Sequence, residues 1–107
     1  MPTKVTDLLT RLRGIVGDED STNQRYSDAN LRDVKFQLGI ERLNDLGWPR
    51  QFAITGSGND KAFSPDPDTY GDESDIHAIV LAAALVIAEG EMHKFANTAL
   101  TISNPAG

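Results

Sequence analysis

Acidic side chains crowd two stretches of this chain, and metal binding is the first chemistry they suggest. Asp66, Asp68, Tyr70, Gly71 and Asp72 follow the opening of a calcium loop, with acids at the first and third positions and glycine at the sixth. His77 stands at the twelfth position, where such a loop needs a bidentate Glu, and Pro65 and Pro67 do not suit its turn. The stretch reads instead as an acidic, solvated helix start. The two histidines, His77 and His93, lie on one expected helix about 24 Å apart by rise per residue, too far to share a metal within one chain.

Catalytic patterns are equally thin. Ser27 and Ser74 precede helical periodicity and read as caps, with no His/Asp pattern to activate either. Gly56 and Gly58 read as a hairpin turn. They lack the later glycine of a dinucleotide fingerprint and the lysine of a phosphate loop. Asp18, Glu19 and Asp20, like Glu89 and Glu91, sit in polar surroundings, whereas acid–base work needs a carboxyl in a dry pocket. The chain has no cysteine, which removes disulfides, thiolate nucleophiles and Cys-ligated zinc. The expectation is a chain with no catalytic residue, no metal and no cofactor. Trp48 and Phe52 flank Pro49 and read equally well as core beneath a loop or as aromatic anchors at an interface.

Composition narrows the partners. The 107 residues carry 10 Lys+Arg against 16 Asp+Glu, a formal charge of −6. Phosphate contacts need clustered cations, so duplex binding and anionic membrane surfaces are disfavoured. The N-terminus lacks the apolar run of a signal peptide, and the longest apolar run, Ile76 to Ala88, falls short of the roughly 20 residues of a membrane span. A protein folding in the cytosol is expected.

The elements that would position these residues are helical. Val5, Leu8, Leu9, Leu12, Ile15 and Val16 form one apolar stripe at helical spacing, capped by Thr3 or Thr6 and ended by Gly17. Residues 17–26 are a polar loop, with Tyr26 placed to staple against Leu31. The second helix runs from Ser27 to about Leu46 and stops at Gly47. At 100° per residue it is apolar on two faces: Leu31, Val34, Leu38 and Leu46 on one, Phe36, Ile40 and Leu43 on the other. Gln51 to Thr55 and Lys61 to Ser64 read as a short hairpin, which needs support from helices or from another chain. The third helix starts near Ser74 or Asp75, is apolar nearly all round to Ala88, and should be central and buried. The last 13 residues, from Phe95, carry no charged side chain and suit docking. The fold class is mainly α: a three-helix domain over residues 1–94, with a long loop or short β-hairpin within 48–72, and over 95–107 the end of the last helix, continuing through Met92, Phe95 and Leu100, and an extended docking tail.

This order of features resembles the head-tail connector, or adaptor, proteins of tailed bacteriophages and related gene transfer particles. The resemblance rests on the short first helix, the helix start Tyr26-Ser27-Asp28-Ala29-Asn30-Leu31, the loop with Phe63-Ser64-Pro65, and the Ala-rich helix Ala78 to Ala88 followed by Phe95 and Asn97. It implies a structural virion protein of the neck, assembled in the host cytoplasm. Copies of the chain, commonly about twelve, would form a closed ring beneath the portal protein. The ring would extend the DNA channel and seat a further connector, stopper or tail protein, close to genomic DNA and away from any membrane. On this reading Trp48, Phe52, Ile54, Phe63, Phe36, Ile40, Leu43, Phe95, Leu100 and Ile102 are the expected interface residues. The competing expectation is a small acidic helical module that binds a basic protein in the host cytosol.

Overall fold

Two helix starts and two glycine stops set the frame. The computed structural model describes residues 3–18, 20, 22–67 and 73–103, with side chains as far as Asn97. A 3-10 turn over Val5–Leu8 leads into α1 (Leu9–Val16). The turn is capped by Asp7, whose Oδ2 accepts the Lys4 backbone N–H at 2.9 Å, rather than by Thr3 or Thr6. Gly17 ends α1 in the left-handed conformation, at φ 73°. Val5, Leu8, Leu9 and Leu12 are buried and Val16 packs against the same core, but Ile15 is 52% exposed and leaves the expected stripe.

The second helix begins as expected: Ser27 Oγ accepts the Asn30 N–H at 3.0 Å. It is a single rod made of α2 (Asp28–Asn30), a π turn (Leu31–Lys35) and α3 (Phe36–Asp45). Within the π turn the Phe36 N–H bonds to the Leu31 carbonyl, five residues back. The extra residue resets the helical phase. Leu31, Phe36, Ile40 and Leu43 share the buried side, whereas Val34, Leu38 and Leu46 are 41%, 45% and 74% exposed. The expected grouping of Leu31 with Val34 and Leu38 is therefore corrected, because uniform 100° steps do not hold across a π turn.

The hairpin pairs β1 (Ala53–Thr55) with β2 (Ala62–Ser64) antiparallel, Ile54 opposite Phe63. It lies on its own chain. Phe63 packs edge-on against Phe36, with ring centroids 6.1 Å apart. The chain start adds a third edge: the Val5 N–H bonds to the Lys61 carbonyl at 2.9 Å, and the Phe63 N–H to the Thr3 carbonyl at 3.1 Å. On the other side, Asn44 holds both backbone groups of Phe52, donating to its carbonyl at 2.7 Å and accepting its N–H at 3.0 Å.

The long helix α4 (Glu73–Ser103) packs against α1 and, most extensively, α3. Ile76, Ile79, Val80, Ala82, Ala83, Ala84 and Ile87 are buried. Gly39 of α3 permits the close approach, since a Cβ there would lie 2.8 Å from the Ala83 backbone nitrogen. The expectation that α4 is buried all round is half corrected: Leu81 and Leu85 are 51% and 52% exposed. The helix continues past residue 95 through Ser103, over the stretch expected to hold the end of the last helix.

Candidate assembly surface

Several of the residues that suggested chemistry are held in structural roles. Asp66 Oδ1 accepts the Thr3 N–H at 3.2 Å and the Thr3 hydroxyl at 2.7 Å, tying the chain start to the end of the hairpin. Asp68, Tyr70, Gly71 and Asp72 of the calcium-like stretch lie outside the described residues. Among the described residues, no three His, Asp or Glu side chains converge on a possible metal position. His77 is an exposed partner of Glu73 at 3.7 Å, one turn away.

Among the described residues two carboxylates are buried, and both act as clamps. Asp18, 3% exposed, accepts Arg13 Nη1 at 2.8 Å, the Arg25 N–H at 2.8 Å and the Tyr26 N–H at 3.3 Å, which fixes the polar loop against α1. The Arg25 N–H foremost, then the Tyr26 N–H and the two arginine charges, hold its carboxyl below the ordinary range against the opposing effect of burial. Asp75, fully buried in the first turn of α4, accepts the Trp48 indole N–H at 2.9 Å and Arg50 Nη1 at 2.9 and 3.1 Å. Exposed Asp20 is also held below its usual range, chiefly by the Thr22 backbone N–H.

The expected interface residues fall into three groups. Phe36, Ile40, Leu43, Phe52 and Phe63 belong to the chain's own core, at 6% exposure or less, and none forms an outward surface. The π turn rotates the first three inward, and the Asn44 clamp and the N-terminal edge fold the hairpin aromatics onto them. Trp48 and Ile54 are half-buried against the same core, and Trp48 borders an open groove. Phe95 is 77% exposed. The side chains of Leu100 and Ile102 lie outside the described residues.

The apolar surface that does face water lies along α4. Leu81, Leu85, Ala88, Met92 and Phe95 are exposed and recur at steps of four, three, four and three. In the sequence the same steps continue to Ala99 and Ile102. This is the heptad spacing of a helix that meets another helix lengthwise. Leu81 and Leu85 form a ridge between two grooves. One, of about 290 Å³, is shared with Ile15 and Val16 of α1; the other, of about 320 Å³, is shared with Leu46, Trp48 and Pro49 beyond α3. The acids beside the stripe are already matched within the chain: Glu89 pairs with Arg42, and Glu91 with Arg25 and the Tyr26 hydroxyl. Leu81, Leu85, Leu46, Ile15 and Met92 were missed as surface residues. No signal in the sequence marked the α4 members, because the buried Ile76, Val80, Ala83 and Ile87 share the four-three spacing.

Over Glu73–Asn97, α4 is long and apolar enough to cross a membrane by length and composition, with a mean hydropathy of 1.5 in its most apolar window. Its contacts are those of a domain's central helix: one side packs on α1 and α3, and Asp75, Glu89 and Glu91 along it are paired with Arg50, Arg42 and Arg25. The chain matches no family model, no curated protein and no solved structure.

Proposed function

We propose that this protein is a structural assembly subunit of the head-to-tail adaptor kind. Copies form a ring beneath the portal of a filled capsid, extend the DNA channel, and seat the next connector, stopper or tail protein. The reading is carried by the apolar face of α4, which a single chain leaves in water over Leu81, Leu85, Met92 and Phe95. A contiguous apolar patch of this kind marks a protein-interaction site. The excess of acids gives further support, since like charge lets DNA slide through a channel rather than adhere to it. The role is structural, and its place is the virion neck.

Deleting the coding sequence from its genome and imaging the products by electron microscopy tests the proposal. Filled heads without tails are expected. Complete tailed particles would refute it.

A further inference from the structure

We infer that the far end of α4, from Met92 through Ser103, is a conditional helix: largely unwound in the isolated chain and helical when another surface covers it. The inference rests on the physics of the helix itself and stands apart from the assembly reading. Among the described residues, Ile87 is the last buried side chain of α4. From Ala88 to Asn97 every residue is exposed except Glu91, which is partly buried. Glu89 pairs with Arg42, and Glu91 with Arg25 and the Tyr26 hydroxyl, so the helix is still fastened to its own domain one turn past the core. Beyond Glu91 it runs on for about three turns. The projection shows in the dimensions: the Cα radius of gyration is 15.9 Å and the extents are 57 × 35 × 23 Å, against a radius of about 13 Å for a compact chain of this length.

The packed part of α4 supplies a nucleus, so propagation decides how far the helix holds. Each added residue gains one hydrogen bond and loses its backbone freedom, a balance that is close to even for the best helix formers in water. His93, Phe95, Asn97, Thr98, Thr101 and Ile102 all rank below those formers. The last turn carries no basic residue to offset the negative end of the helix dipole. Gly90 weakens the junction as well. A Cβ there would meet nothing within 4 Å, so no packing calls for glycine, yet glycine is among the poorest helix formers. Most helical stability in proteins comes from tertiary packing, and the far end leaves its large apolar groups out of it: Met92 and Phe95 are 70% and 77% exposed. Covering those two side chains adds the missing burial and shifts the segment to helix. The fold thus carries a rigid half of α4, which builds the core, and a half that orders on contact.

Amide exchange of the full chain, labelled with nitrogen-15 and followed residue by residue by NMR at low concentration, tests this. Amides over 96–103 should exchange within about tenfold of an unstructured peptide, while those of Ile79 to Ile87 should exchange slower by about 1,000-fold or more. Thr98→Ala combined with Thr101→Ala should raise the helix-to-coil ratio over 96–103, read from Cα chemical shifts, by about threefold to tenfold. Protection over 96–103 equal to that of Ile79 to Ile87 in a dilute monomer would overturn the inference, and so would an alanine pair that leaves the chemical shifts unmoved. Protection that is absent in dilute solution and grows with concentration would support it and make a second copy the covering surface. A chain that stays monomeric at every concentration with its far end unprotected would support it too, and would count against the assembly reading instead.

Discussion

Phe36 donates its backbone N–H to the carbonyl of Leu31, five residues back, and both side chains are wholly buried on one side of the same helix. An α-helix places that spacing well apart; a π turn brings it together. The turn is in effect one residue too many. Removing exposed Val34 should therefore let the rod close as a regular α-helix with its core face intact. The deletion is expected to keep the far-ultraviolet spectrum and cost no more than about 1 kcal/mol. Removing Leu38 instead, beyond the π turn, should turn the helix by about 100° relative to Leu31 and Phe36 and unfold the chain. Thermal melts of the two deletions compare them directly.

The same phase reset separates Leu38 from Ile40. Ile40 is 2% exposed and Leu38 45%. Ile40→Asp buries an unpaired charge and should cost about 4 kcal/mol or more, enough to unfold a small domain. Leu38→Asp should stay within about 1 kcal/mol of the parent. Urea titrations that found the two equally damaging would refute the inward and outward assignment of the second helix.

Gly39 and Gly90 make an opposed pair. A Cβ at Gly39 meets the Ala83 backbone at 2.8 Å, while one at Gly90 meets nothing within 4 Å. Gly39→Ala should lower stability by about 1–3 kcal/mol despite the better helix propensity of Ala, because backbone must move. Gly90→Ala should raise it by about 0.5–1 kcal/mol. Denaturant midpoints of the two variants should move in opposite directions.

Asp18 makes the fold sensitive to acid. Its carboxyl titrates below its ordinary value of 3.8 because the Arg25 N–H, the Tyr26 N–H and two arginines favour the charged form. A carboxyl depressed in the folded state adds stability above its unfolded pKa and loses it as pH falls through the folded one. The melting temperature should thus fall steeply below about pH 4. In Asp18→Asn it should be lower at neutral pH and decline less steeply in acid. Parallel curves for the two proteins would rule Asp18 out as a source of the acid sensitivity.

Local signals in this sequence read true where the physics is local. The Ser27 cap, the Gly17 and Gly47 stops and the Gln51–Ser64 hairpin all appear where residue chemistry places them. The side-chain directions of the second helix did not, because nothing in Leu31–Lys35 announces the π turn on which they depend. That misassignment sent Phe36, Ile40 and Leu43 to the surface on paper. The exposed side of α4 was obscured for a different reason: a helix apolar all round gives no moment to show which side meets the core. Four-three steps do not help, because the buried Ile76, Val80, Ala83 and Ile87 follow them as well as the open Leu81, Leu85, Ala88, Met92 and Phe95. Thr3 and Asp66, 63 residues apart, are joined by folding alone, and no local pattern foretells such a bond.

Sedimentation velocity of the full chain over a range of concentration and salt, beside Leu85→Glu, tests most directly whether the open face of α4 is made for assembly. The wild type should shift from monomer to larger species as concentration rises. That shift should strengthen with salt, because screening relieves the repulsion between copies of charge −6 while the apolar contact remains. Leu85→Glu should keep the same circular dichroism and stay monomeric. A wild type that remains monomeric throughout, or a Leu85→Glu chain that assembles equally well, would contradict the account.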